Sequence, residues 1–227
     1  VAADPTIAEE STSWRELAVA RSLDTARARA EKRVQRFLDA ALELMASSDN
    51  QDFTVQQVVE RSGQSLRSFY QYFEGKYELL LALFEESIAQ TAEQLDEAVA
   101  EIADPLERVR IFVAEYYRRC TPAPKGTKTD SGNPNPLAIA EFAQQLMTEH
   151  PKEASKAFGP LVDLFVQLLD DAAEAGVVRS GFDHRRVAGV VLQSIMFNAF
   201  AATISGLSMR EGDEALLELL LHGIAAE

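Results

Sequence analysis

Apolar positions recur along this chain at helical spacing, and runs that alternate with period two are nearly missing. Val34, Phe37, Leu38, Ala41 and Met45 form one stripe of a first helix, as a period near 3.6 residues requires. Val55, Val58 and Val59 face one side of a short second helix, and Leu66, Phe69, Tyr70 and Phe73 share the spacing of a short third. Leu79, Leu80, Leu83, Phe84 and Ile88 open a long fourth helix expected over residues 76–102. Leu106, Val109, Phe112, Val113, Tyr116 and Tyr117 carry a fifth as far as Cys120. Further helices are expected over 137–149 and over 151–175, the latter bent at Gly159-Pro160, where a proline cannot continue the ladder. Residues 185–206 are apolar nearly all round, and 213–226 carry a broad leucine face.

The ends of these elements are marked by their chemistry. Thr54 is an N-cap, Gln57 three residues on completes a capping box, and Phe53 before it suits a hydrophobic staple with Val58. Gly63 suits the left-handed stop of the second helix, and Ser65 caps the third. Gly75 breaks the pattern before Lys76. Asp104-Pro105 is a cap followed by proline at the first helical position. Gly176 stops the helix before it, and Asp24 or Thr25 is expected to cap a break between an N-terminal arm and the first helix. Residues 121–136, rich in proline and glycine, read as a long loop of weak order and a gate to the interior, or else as a plain connector.

A helix, a tight turn containing glycine and a second short helix is the layout of a DNA-reading helix-turn-helix, and equally of an αα-corner packed into a core. In the first case Arg67, Ser68 and Gln71 are the hydrogen-bonding side chains of the reading helix. Gly63, Ser65, Tyr70, Phe73, Lys76, Leu79 and Leu80 together resemble the hallmark of the tetracycline-repressor (TetR) family, over roughly residues 34–80. Three positions depart from that pattern: Gln64 replaces an apolar turn residue, Arg67 a small residue, and Tyr72 a histidine. The resemblance implies an all-α chain, with a helix-turn-helix head at 25–75 and a helical ligand-binding and dimerisation body at 76–227. Residues 1–24 are expected to form a flexible basic arm.

The formal charge of −14 opposes contact with DNA for the chain as a whole, but it is unevenly distributed. Between Arg15 and Arg36 seven basic side chains face three acidic ones, a local +4, and the acid lies elsewhere. Arg29, Lys32, Arg33 and Arg36 fall opposite the inward stripe, a face that is either merely solvated or set against phosphates. Arg15, Arg21 and Arg27 suit an arm entering a minor groove. A single cysteine, Cys120, leaves no disulfide framework and fits a cytoplasmic location, read as a small buried hydrophobe rather than a nucleophile. The first ten residues are acidic without an apolar run, unlike a signal peptide. Gln193, Ser194, Asn198 and Thr203 make 185–206 a core helix rather than a membrane span.

His150, His184 and His222 lack metal-ligand spacing, and no phosphate loop, dinucleotide fingerprint or nucleophile elbow is found. No metal, cofactor or enzymatic activity is expected. Phe112, Tyr116, Phe142, Met147, Phe165, Met196 and Asn198 either fill a core or line an apolar ligand pocket. The resemblance favours the pocket, with Asn198 and Tyr116 as its polar groups. It implies a homodimer through the last two helices, a repressor bound to a palindromic double-stranded operator and released by a small, largely apolar inducer. DNA contacts then fall to Arg29, Arg33, Thr54, Ser65, Arg67, Ser68, Tyr70, Gln71, Tyr72 and Lys76. The other readings are a helical small-molecule carrier that has lost DNA binding, and a helical enzyme using the apolar body.

Overall fold

A computed structural model describes residues 13–47, 53–121, 136–197 and 218–219. The described chain is helical, in the order α1 (Trp14–Ser47), α2 (Val55–Ser62), α3 (Leu66–Phe69), α4 (Lys76–Val99), α5 (Pro105–Cys120), α6 (Pro136–Glu149), α7 (Pro151–Ala157), α8 (Gly159–Glu174) and α9 (His184–Met196). The all-α expectation holds.

The head is built on α1. Phe37, Leu38, Ala40, Ala41 and Met45 are buried, and α1 packs against α2 and α4. The capping box forms as its sequence requires: the Thr54 hydroxyl accepts from the Gln57 N–H at 3.2 Å, and the Gln57 side chain accepts from the Thr54 N–H at 2.7 Å. Gly63 adopts φ 65°, and its N–H and that of Gln64 close α2 on Glu60 and Val59 at 3.3 Å each. Phe53 and Val58 are both buried in the same core.

One boundary differs from expectation. No break occurs at Asp24 or Thr25, and residues 14–24 are the opening turns of a continuous 34-residue helix. The Thr25 hydroxyl donates to the Arg21 carbonyl one turn back at 2.8 Å, so it lies within the ladder instead of capping it.

In the body, α4, α5, α8 and α9 pack as a bundle, and α6 and α7 cover the side nearest the start of α4. Asp104 caps α5 by accepting from the Leu106 and Glu107 N–H groups at 2.9 and 3.3 Å. The helix expected over 151–175 is two helices. Pro160 has no N–H to reach back, so α7 ends at Ala157 and α8 restarts at Gly159, with the Val162 N–H on the Phe158 carbonyl at 3.0 Å. Gly176 stops α8 at φ 74°. Asp183 caps α9 through the Arg186 N–H at 3.1 Å.

The start of α9 is two-faced rather than apolar all round. Ala188, Val191, Leu192, Ile195 and Met196 are buried, and Val190, Gln193 and Ser194 are exposed. Nearly all of the loop expected over 121–136, the part of 185–206 beyond Phe197 and most of 213–226 lie outside the described residues; Glu218 and Leu219 are helical. Among the described residues no helix is long and apolar enough to cross a membrane.

Candidate nucleic-acid interface and apolar body

The reading element is held from beneath by rings. Phe69 is fully buried, with Phe37 at 5.4 Å edge-on and Phe73 at 5.4 Å between ring centroids. These contacts fix the rotation of α3. Ser65 caps it by accepting from the Ser68 N–H at 3.1 Å. With Phe69 turned inward, Arg67, Tyr70 and Gln71 stand out into solvent, Tyr70 57% exposed. Arg67 has no acidic partner within 4 Å among the described residues, so its guanidinium fork is available to a planar acceptor pair. Tyr70 leans its ring edge on Phe69 at 5.5 Å, which limits its freedom and aims its hydroxyl.

Other predicted contacts fall less simply. Ser68 faces inward: its hydroxyl oxygen has no accessible surface and no hydrogen-bond partner. It cannot meet a base without a change of rotamer. Thr54 is exposed, but its hydroxyl both accepts from the Gln57 N–H and donates to the Gln57 carboxamide, each at 3.2 Å, so its chemistry serves the cap. Tyr72 is half-buried against the core. Lys76 opens α4 with its ammonium 4.4 Å from the centre of the Phe53 ring, a cation–π contact that anchors it. The Glu78 carboxylate accepts from the Glu74 N–H at 2.5 Å and already sits at the positive end of α4. Arg29 and Arg33 are exposed on α1, again without an acidic partner among the described residues.

The described pocket residues belong to one packed core, in which two sets of ring contacts stand out. Phe112 lies flat on Phe165 with centroids 4.5 Å apart and planes 4° from parallel, and Tyr116 follows at 6.4 Å. Phe142 meets Phe84 at 5.8 Å and Tyr77 at 6.1 Å. Met196 is buried and Met147 half-buried, and Asn198 lies outside the described residues. Tyr116 hydrogen-bonds Cys120, and burial pushes its phenol well above the usual range. Burial likewise pushes the Cys120 thiol up to about 12, against the smaller opposing effect of the Tyr116 hydrogen bond. The sequence suggested a small buried hydrophobe, and Cys120 is half-buried against the core. Among the described residues no polar or charged residue is buried as a whole.

Two groups went unnoticed in the sequence. Tyr77 and His150 lie ring against ring at 4.6 Å where α4 meets the α6–α7 junction. The Tyr77 hydroxyl is buried without a partner, and desolvation, then the charges of Glu153 and Glu149, raise its pKa. Their separation of more than seventy residues hides the pair from any local pattern.

A capped short helix fixed by buried rings, with an arginine, a tyrosine and a glutamine outward and a basic helix beside it, defines a helix-turn-helix DNA-binding regulator. Residues 37–83 match the family model described as "Bacterial regulatory proteins, tetR family". The chain is similar to the fatty acid metabolism regulator protein of Bacillus subtilis (strain 168), 20% identical over 195 residues that cover 82% of this chain and 93% of the relative. The fold is shared with the Bacillus subtilis transcriptional regulator FadR in complex with stearoyl-CoA, at TM-score 0.63, 18% identity, and coverage of 84% and 98%. It is shared also with reduced E. coli NemR, at TM-score 0.64, 16% identity, and coverage of 86% and 98%.

Proposed function

We propose that this chain is a homodimeric repressor that reads a palindromic operator through α3 and leaves it when a small, largely apolar ligand occupies the body. The observation that carries the reading is the outward set Arg67, Tyr70 and Gln71, rigidly mounted on buried Phe69. Arg67 is bidentate to guanine and Gln71 reads a neighbouring base, while Tyr70, Arg29 and Arg33 hold phosphates. Lys76 and Tyr72 serve by fixing the start of α4 and the end of the reading turn.

A two-fold dimer is supported by apolar residues left open on the last two helices. Val190 is 63% exposed in the middle of the outward face of α9, and Leu219 is 73% exposed in the final segment. An isologous pairing buries both faces at once. The ligand class is supported by a body whose buried described side chains are apolar. Because one similar structure holds stearoyl-CoA, long-chain acyl thioesters are the first ligands to test.

Selection of bound sites from random duplex DNA tests the DNA half of the proposal. Wild-type protein should enrich a palindrome, and Arg67→Ala should relax one base position per half-site by about 5- to 150-fold, the range of about 1–3 kcal/mol. Absence of any enriched site at low salt would overturn the reading. For the ligand half, an acyl-CoA that stabilises the body to heat should weaken operator binding at least tenfold, a difference of about 1.4 kcal/mol. A ligand that binds tightly and leaves operator affinity unchanged would refute release.

A further inference from the structure

The family match begins at residue 37 and leaves a long stretch of helix without a role. From Trp14 to Arg29 every described side chain of α1 is exposed, so nothing in the chain's own core explains why this segment is there. At 1.5 Å per residue it spans about 24 Å, roughly seven base-pair steps.

Its charge is arranged by face. At about 100° per residue Arg15, Arg21, Arg29, Lys32, Arg33 and Arg36 fall within one arc of about 120°, which borders the stripe of Phe37, Ala41 and Met45 at Arg33 and is centred away from it. Among the described residues none of these six has an acidic partner within 4 Å. Arg27 lies on the other side and is neutralised by Glu31 at 2.7 Å. The unneutralised cations therefore share one broad arc of the helix.

The course of α1 says where that arc lies. At Glu43 the helix is tied to the end of α2 by an ion pair with Arg61 at 3.1 Å. Two turns earlier Phe37 meets Phe69 and Phe73, at 5.4 and 6.2 Å, beneath and just after α3. Moving towards its N-terminus, α1 passes from the end of α2 to the rings that carry α3, and its exposed half continues beyond them.

We propose that the N-terminal half of α1 is a second DNA-contacting element, a basic helix laid along phosphates flanking the site that α3 reads. This rests on the DNA-reading assignment of α3 and adds a footprint to it. An α-helix about 10–12 Å across does not enter a minor groove about 6 Å wide. The expected minor-groove arm of Arg15, Arg21 and Arg27 is accordingly replaced by a rigid backbone contact made by Arg15, Arg21 and Arg29. Such a contact carries no base preference; it lengthens the site and steepens its salt dependence.

The test uses the full chain and its selected duplex in two lengths, one with about seven extra base pairs on each side and one trimmed to the enriched bases. Arg15→Gln/Arg21→Gln removes two phosphate contacts per copy, so the slope of log affinity against log salt should fall by about 1.8 per bound copy. The gap between wild type and variant on the long duplex should then shrink about 12-fold per copy between about 50 and 200 mM salt. Arg15→Lys/Arg21→Lys should restore the slope, and on the trimmed duplex all three proteins should bind alike with unchanged base preference. Equal slopes for wild type and the Gln variant on the long duplex would overturn the proposal, even with Arg67→Ala behaving as expected. So would an equal loss on both duplexes, a changed oligomeric state in sedimentation, or an effect confined to anionic vesicles. If Arg67→Ala leaves base preference intact while the long-duplex slope still falls, the reading of α3 fails and the flanking contact stands.

Discussion

Gly63→Ala isolates the backbone requirement of the reading turn. Gly63 sits at φ 65°, and a Cβ built there meets nothing within 4 Å. Any cost is therefore conformational, about 1–2 kcal/mol for placing a side chain in the left-handed region. The added methyl has no neighbour to displace, and the two closing bonds to Glu60 and Val59, both 3.3 Å, hold the turn in place. The variant should keep its helicity and its operator affinity at 25 °C within twofold, while its stability falls. With a urea slope of about 2 kcal/mol per molar, the midpoint of the head's transition should drop by about 0.5–1 M. Gly63→Asn should recover part of this, because asparagine tolerates the left-handed region better than alanine. Unfolding followed by far-ultraviolet dichroism, beside an operator titration, gives both readouts. A loss above about 3 kcal/mol would reveal a steric contact that the geometry denies, and no loss would mean that the turn is not left-handed.

Three further outcomes follow from separate parts of the molecule. Thr54→Ala removes the hydroxyl that accepts from the Gln57 N–H, leaves the backbone arm of the capping box in place, and should cost about 1 kcal/mol in urea unfolding, while Thr54→Ser should be nearly neutral. Phe112→Ala should destabilise the chain by about 3–5 kcal/mol, because the ring lies flat on Phe165 at 4.5 Å; a loss below about 1 kcal/mol would show that the ring lines open space. Cys120 should resist alkylation at pH 8 in the folded protein and react at once in urea, since its thiol is pushed up from 9.0 to about 12. Between those values the folded state holds a proton that the unfolded chain has released, so this contribution to stability is complete below about pH 9 and is lost as pH rises towards 12.

The sequence was most legible where one short segment contains the whole cause. Thr54 with Gln57, Gly63, Ser65 and Asp104 each signal an element end through atoms within three residues, and all four ends lie where that chemistry places them. Spacing grouped Leu66, Phe69, Tyr70 and Phe73, of which Phe69 and Phe73 are buried and Leu66 and Tyr70 exposed. The orientation of Ser68 did not follow from spacing, because it is set by how far Phe69 rotates α3 over Phe37, more than thirty residues away. The continuity of α1 was misread for a related reason. Asp24 and Thr25 are good caps in isolation, yet the stretch from Trp14 to Ser47 contains no glycine or proline, and Thr25 satisfies itself on Arg21. A capping residue ends a helix only when something also interrupts the ladder. The packed state of Phe112 and Phe165 was likewise invisible, since spacing shows that rings face inward but not whether they meet.

Head and body share α4, and this constrains how one can inform the other. Leu79 and Leu80 are buried at its start, and Phe84, Ile88, Leu95 and Val99 are buried along its length, with no glycine or proline between Lys76 and Val99 to act as a hinge. A displacement at its body end must therefore arrive at its first turn as a tilt rather than be absorbed on the way. That turn is clamped from two directions. Lys76 rests on Phe53 at the entrance to α2, and Tyr77, the next residue, rests on His150 and Phe142 at the α6–α7 junction. The Tyr77 hydroxyl is buried without a partner, so this clamp is held by ring packing while carrying the cost of an unsatisfied polar group. A rearrangement of α6 or α7 that gave the hydroxyl a partner would recover that cost. Ligand binding in the body would need to supply correspondingly less of the free energy that shifts α4, and with it the reading helix.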